Sequence, residues 1–152
     1  MREGAGRERR IVCANEMEEV GRLAAALDEF GGAHGIPAEA IHDARLAIEE
    51  VFSNVVKYAH DDRRRHAVTV AFRLEGDGLV LRVEDDGRPF NPLDLPRPDL
   101  AAPPDRRRSG GWGVHIARSV TDSMTYERAG GRNIIVMRKA VPRKAPRTAD
   151  PR

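Results

Sequence analysis

Leu46-Ala47-Ile48-Glu49-Glu50-Val51-Phe52-Ser53-Asn54 is the most informative stretch of this 152-residue chain. Ile48, Val51, Phe52 and Val55 continue a stripe begun by Ile41 and Ala44. Spacings of three and four put all six on one helix face. Pro37 stands where a first helical residue is preferred, so the spacing predicts a helix over 37–59. Glu50 and Asn54 are four apart and share a face of it, among apolar Val51, Phe52, Val55 and Val56. A carboxylate and a carboxamide so placed suit Mg²⁺-phosphate chemistry, because Mg²⁺ is usually held by one or two side-chain oxygens plus substrate phosphates. An exposed face with Glu49 and Glu50 in water is the plainer reading of the same spacing.

Upstream, residues 10–14 are short and apolar and predict a first strand. Asn15, with Glu18 three positions on, has the form of a helix cap with an acidic partner. Met17, Val20, Leu23, Ala24, Leu27 and Phe30 then predict a helix over 16–30, ended by Gly31-Gly32. Downstream, 61–66 is a charged connector. Val68, Val70, Phe72 and Leu74 alternate as in a strand, Gly76-Asp77-Gly78 turns, and 79–84 alternates again, which predicts an antiparallel hairpin. Between Asp85 and Gly113 there are six prolines and no apolar period. A loop that long in a small domain is usually functional or disordered. A helix over 114–120 and a closing hairpin, 123–128 with 133–138, complete the order β-α-α-β-β-loop-α-β-β. That order suits a two-layer α+β sandwich.

Two further places bear chemistry. Asp85 ends a strand and precedes Asp86-Gly87, where a carboxylate is placed to accept from a ligand amine. An Asx turn accounts for the same residues. Gly110-Gly111-Trp112-Gly113 opens the last helix, and exposed backbone N–H groups at a helix N-terminus favour an anion.

Composition bounds the function. With 40% apolar and 33% charged residues, the chain supports one domain with a real core under a charged surface. Cys13 is the single cysteine, which excludes an internal disulfide and a multi-cysteine metal site. No apolar run approaches the ~20 residues that span a bilayer. Met1 to Arg10 carries charge without an apolar stretch behind it, so no secretion signal and a cytoplasmic setting are expected. The pI near 9.0 comes from the ends. Residues 1–10 sum to +2 and 138–152 to +5, which leaves −5 for 11–137 of the +2 total. An acidic body argues against nucleic-acid binding. Residues 1–9 and 140–152 read as basic flexible tails around a 10–139 domain.

In order and spacing these three places resemble the three boxes of the GHKL ATPase superfamily, which includes gyrase subunits and histidine-kinase catalytic domains. Residues 46–54 look like its N box, Asp85-Asp86-Gly87-Arg88-Pro89-Phe90-Asn91-Pro92 like its first glycine box, and 110–118 like its second. The Pro-Phe-Asn-Pro ending and the closing hairpin are similar to the anti-sigma factor serine/threonine kinases, the RsbW-like branch. The resemblance covers about 10–139. It implies a Bergerat-type two-layer α/β sandwich, with a mixed, mostly antiparallel sheet covered on one face by helices.

It also implies roles. Glu50 would be the catalytic base and Asn54 the Mg²⁺ ligand. Asp85 would accept from the adenine amino group, and Gly87 would let the base approach. Gly110, Gly111 and Gly113 would wrap the phosphates of ATP, with 93–109 as a mobile lid. Lys57, one turn past Asn54, is in reach of a phosphate or simply solvated. Of Arg106 to Arg108, one is a candidate for a γ-phosphate contact, and a solvated charge run is the plainer reading. The branch often has histidine where Tyr58 stands. The implied function is an ATP-dependent serine/threonine kinase that binds a sigma factor and phosphorylates a STAS-type anti-anti-sigma protein. A homodimer through the first strand and helix is implied as well. The alternatives are a non-catalytic ATP-dependent binding module and a detached histidine-kinase catalytic domain.

Overall fold

The computed structural model describes residues 7–94 and 111–142. In chain order these form β1 (Glu8–Ala14), a 3-10 turn (Met17–Glu19), α1 (Val20–His34), α2 (Ala38–Tyr58), β2 (Ala67–Glu75) and β3 (Gly78–Asp85). A 3-10 turn (Pro92–Asp94), α3 (Gly111–Ser119), β4 (Ser123–Ala129) and β5 (Arg132–Ala140) follow. The stretches read as tails and lid fall mostly outside the described residues. Pairing in β1 begins at Glu8 opposite Arg73. Val141, past the end of β5, is fully buried and donates its N–H to Asp77 O.

The strands form one sheet in the order β1-β2-β3-β5-β4, and each described pair is antiparallel. Register makes one face the core. Ile11, Val70, Val83 and Ile135 stand in one row, and Phe72, Leu81 and Met137 in the next. All seven are buried, and fully burying such side chains contributes about 1.5–3 kcal/mol each. Helices α1 and α2 cover this face with Leu23, Leu27, Phe30, Ile48, Val51 and Phe52. The Phe30 and Phe72 rings lie 6.0 Å apart. The result is a two-layer α+β sandwich with the helices on one face.

The third row of the core face changes character: Cys13, Val68, Asp85 and Asn133. Its first half is apolar and its second half is a buried polar pair, 4% and 3% exposed. That pair marks where the core ends and a site begins. At the apolar end, burial and then the Glu19 carboxylate push the Cys13 thiol up to about 11. The native thiol is therefore expected to react with an aromatic disulfide at about pH 8 far more slowly than the urea-unfolded chain does, as read by released thiolate. Immediate stoichiometric labelling of the native protein would contradict this.

Three local expectations are corrected. Asn15 does not cap a helix. Its Oδ1 accepts from His66 N at 2.8 Å and its N–H donates to His66 O at 2.9 Å, so it ties the end of β1 to the start of β2. The α-helix starts at Val20, after the 3-10 turn. Gly31-Gly32 does not end it: α1 runs to His34 and stops at Gly35, whose φ of 64° is left-handed. Gly31 is instead a close-approach position, since a Cβ there would stand 2.5 Å from Ile41 Cγ1 of α2. The last helix begins at Gly111, not 114, because its first turn packs on α2. Among the described residues no helix is long and apolar enough to cross a membrane.

Candidate functional site

The site is organised along α2. The helix buries Ser53 and Asn54 together with its apolar stripe, so its polar groups reach into the sandwich rather than only into water. Asn54 is 7% exposed, and its Nδ2 is buried with no hydrogen-bond partner. A buried amide without a partner costs about 1–3 kcal/mol. Its presence in the helix most committed to the core points to a ligand as the missing partner. Glu50, one turn earlier, is half-buried, while Glu49 is exposed. The plain reading of both glutamates as solvated thus holds for Glu49 alone.

The first turn of α3 closes on Glu50. A Cβ built on Gly113 would stand 2.5 Å from Glu50 Oε2. Any side chain there would displace the carboxylate, so the glycine leaves the room that the Glu50 carboxylate occupies. Gly111 is the first residue of α3, and Gly110 lies outside the described residues. The N-terminal turn of α3, with its excess of backbone N–H donors, therefore lies beside a carboxylate and one helical turn from the unpartnered amide.

The other end of α2 meets the strand end of β3. Asp85 is buried, and its Oδ1 accepts from Gly87 N at 2.8 Å and Asn133 Nδ2 at 3.0 Å. The Asx turn and the acceptor role are thus compatible, since Oδ2 takes no part in either bond. Gly87 is packed on Ala59: a Cβ at Gly87 would collide with Ala59 O and stand 2.6 Å from Ala59 Cβ. Arg88 secures the same junction, its N–H on Ala59 O at 3.0 Å and its Nε on Tyr58 O at 2.7 Å. Tyr58 rests on Phe90, ring centroids 5.9 Å apart. Lys57 is exposed in the last turn of α2, where its charge complements the helix dipole.

Asn133, absent from the motif reading, holds this end together. Its Nδ2 also donates to Arg88 O at 2.8 Å. Its Oδ1 accepts from Tyr126 Oη at 2.6 Å, Arg128 Nη1 at 3.1 Å and Phe90 N at 3.3 Å. Arg128 Nη1 reaches Gly87 O as well, at 2.7 Å. One amide thereby fixes Asp85 and the 87–90 loop against β4. The signal was present in the sequence. The inward positions of the closing hairpin are 133, 135 and 137, and an asparagine among Ile135 and Met137 is out of keeping with a core.

The geometry thus sets Gly113 of α3 on Glu50, with Asn54 one turn further along α2, and sets Gly87, bonded to Asp85, on Ala59 at the other end of the helix. Comparison with known proteins gives the family. The sequence pattern of the histidine kinase-like ATPase domain matches residues 13–139. The serine-protein kinase RsbW of Listeria monocytogenes is 27% identical over 113 residues, 72% of this chain and 71% of the relative. The serine-protein kinase RsbW of Bacillus velezensis is 26% identical over 121 residues, 76% and 75% of the two chains. Among solved structures, the RsbU and RsbW domains of a Mycobacterium tuberculosis protein superpose with a TM-score of 0.66 at 18% identity. That match covers 93% of this chain and 34% of the other, so this chain spans about a third of it. At such identity the likeness is one of fold.

Proposed function

From the premise that the chain belongs to the histidine kinase-like ATPase domain family, we propose that it is an ATP-dependent serine/threonine protein kinase and anti-sigma regulator. It would bind a sigma factor and phosphorylate a serine or threonine of a STAS-type anti-anti-sigma protein in the cytoplasm. The observation that carries this reading is the spacing along α2. Glu50 adjoins Gly113 and Ala59 adjoins Gly87. Glu50 and Ala59 are nine positions apart, roughly 13 Å of helix axis. That span suits an extended nucleoside triphosphate, with a base at the Asp85 end and the terminal phosphate at the Glu50 end.

Each side chain then has a task. Asp85 Oδ2 accepts from the adenine amino group, and Asn133 holds Asp85 still. Gly110, Gly111 and Gly113 would wrap the phosphates with their backbone N–H groups, Gly110 lying outside the described residues. Lys57 lies within reach of those phosphates. The unpartnered Asn54 Nδ2 is a donor and fits a phosphate oxygen, while its Oδ1 is the atom that would hold Mg²⁺. Mg²⁺ held there supplies charge neutralisation of the phosphates. Glu50 accepts the proton of the substrate hydroxyl while its oxygen bonds to the γ-phosphorus and ADP leaves. Residues 93–109, mostly outside the described residues, would form the lid. A homodimer through β1 and α1 is supported by β1 being an edge strand with Val12 57% exposed, beside Met17 at 43%.

Incubation with γ-labelled ATP and candidate antagonist proteins tests the reading. Acid-stable label on the antagonist is the expected result. Acid-labile label would mean phosphohistidine, and none would leave an ATP-dependent binding module. Gly113→Ala adds a structural check. Its Cβ takes the place of Glu50 Oε2, so transfer should fall at least tenfold by the loss of near-attack geometry. The melting temperature should stay within a few degrees, because the displaced atom ends a flexible side chain. Unchanged single-turnover transfer would show that the contact does not set the rate.

A further inference from the structure

We propose that His60, His66 and Asp86 form a site for a divalent transition-metal ion of the zinc class. None of the three has a task in the nucleotide reading, and the site does not depend on it. His60 follows α2, His66 precedes β2 and Asp86 follows β3, so the topology gathers three element ends. One donor atom from each lies within 4.8 Å of the others.

The distances suit the ion. His60 Nε2 is 2.9 Å and His66 Nδ1 3.9 Å from Asp86 Oδ1. Zinc bonds of about 2.0–2.1 Å in tetrahedral array put neighbouring donors roughly 3.3–3.4 Å apart, between those two values. A shift of about half an ångström in the exposed Asp86 side chain therefore equalises them. The imidazole rings lie parallel, centroids 3.6 Å apart and 5° between planes, so one ring must tilt for both in-plane lone pairs to meet on one ion. Two imidazoles and a carboxylate favour zinc-like ions over Mg²⁺, which prefers oxygen ligands alone.

The surroundings argue the same. Both carboxylate oxygens of Asp62 stand 2.8 Å from His66 Nε2. This carboxylate commits Nε2 as the donor and leaves Nδ1 as the free base on the Asp86 side. A carboxylate behind a metal-bound histidine is the usual outer partner. His60 is nine-tenths buried at its side chain, and its Nδ1 is buried with no partner. An ion at this place would link the connector after α2 to the residue next to Asp85.

The test uses the untagged full chain, stripped with chelator and titrated with Co²⁺ and with Zn²⁺, without nucleotide. One saturating ion per chain is expected, with the visible absorption of four- or five-coordinate cobalt, bleached by zinc. Zinc should also raise the melting temperature by mass action. His66→Gln and the half-exposed Asp86→Asn should each abolish saturation, and Asp62→Asn should weaken it by about 10–100-fold. His42→Gln and Asn54→Ala should leave the cobalt spectrum intact, which separates this site from a Mg²⁺-phosphate site. Absence of saturable binding to the native chain would overturn the proposal. So would a cobalt spectrum unchanged in both His66→Gln and Asp86→Asn when circular dichroism shows both folded.

Discussion

Glu50→Gln is expected to bind Mg²⁺-ATP nearly as the wild type does, yet to phosphorylate its protein substrate at a rate lower by at least ~10²-fold. Gln keeps the length, shape and hydrogen-bonding reach of Glu, so the contact with Gly113 and the packing of α3 on α2 survive. What it loses is a basic oxygen at the moment the hydroxyl attacks. In phosphoryl transfer the protein mostly positions groups and stabilises charge, and removing a general base costs about 10²–10⁴ in rate. Asn54→Ala separates the two roles on this helix. It should lower Mg²⁺-dependent affinity as well as rate, because the lost group is the proposed metal ligand. Single-turnover transfer paired with nucleotide titration reads both variants. Transfer by Glu50→Gln at the wild-type rate would remove Glu50 from the base role.

The helices and strands of the core were legible because their periods are strong. The stripe Ile41, Ala44, Ile48, Val51, Phe52, Val55 is buried at every position. The inward residues of β2 and β3 follow the alternation of the sequence without slip. What local patterning missed was set by contacts distant along the chain. Gly31-Gly32 has the form of a helix stop, but the demand of Ile41 for space decides its use. Asn15 has the form of a cap, but His66, fifty-one residues away, claims its side chain. Asn133 serves Asp85 from 48 residues off, and only the register of β3 with β5 makes them neighbours. The histidine–aspartate cluster was likewise invisible, because 60, 66 and 86 meet only once the sheet has formed. Positions fixed by a helix period or a strand alternation are written locally. Positions fixed by pairing between elements are not.

Asp85→Asn is expected to weaken ATP and ADP binding by roughly ten- to a hundredfold while leaving the fold intact. The two halves of that expectation come from two oxygens. Oδ1 accepts from Gly87 N and Asn133 Nδ2, and the amide oxygen of Asn reproduces both bonds. Oδ2 becomes an amino group and meets the adenine amine donor to donor. A buried group left without its partner costs about 1–3 kcal/mol, which is the stated range in affinity. Asn133→Ala should behave differently. It strips partners from Asp85, Arg88 O, Tyr126 and Phe90 N at once, so it should lower the melting temperature as well as affinity. Calorimetric titration with ADP, alongside thermal unfolding of both variants, distinguishes the outcomes. Wild-type ADP affinity in Asp85→Asn would place the base elsewhere. Lost affinity with an equal loss of stability in both variants would mean that Asp85 serves the fold and not the ligand. Affinity lost in Asp85→Asn at unchanged stability would assign its free oxygen to the nucleotide.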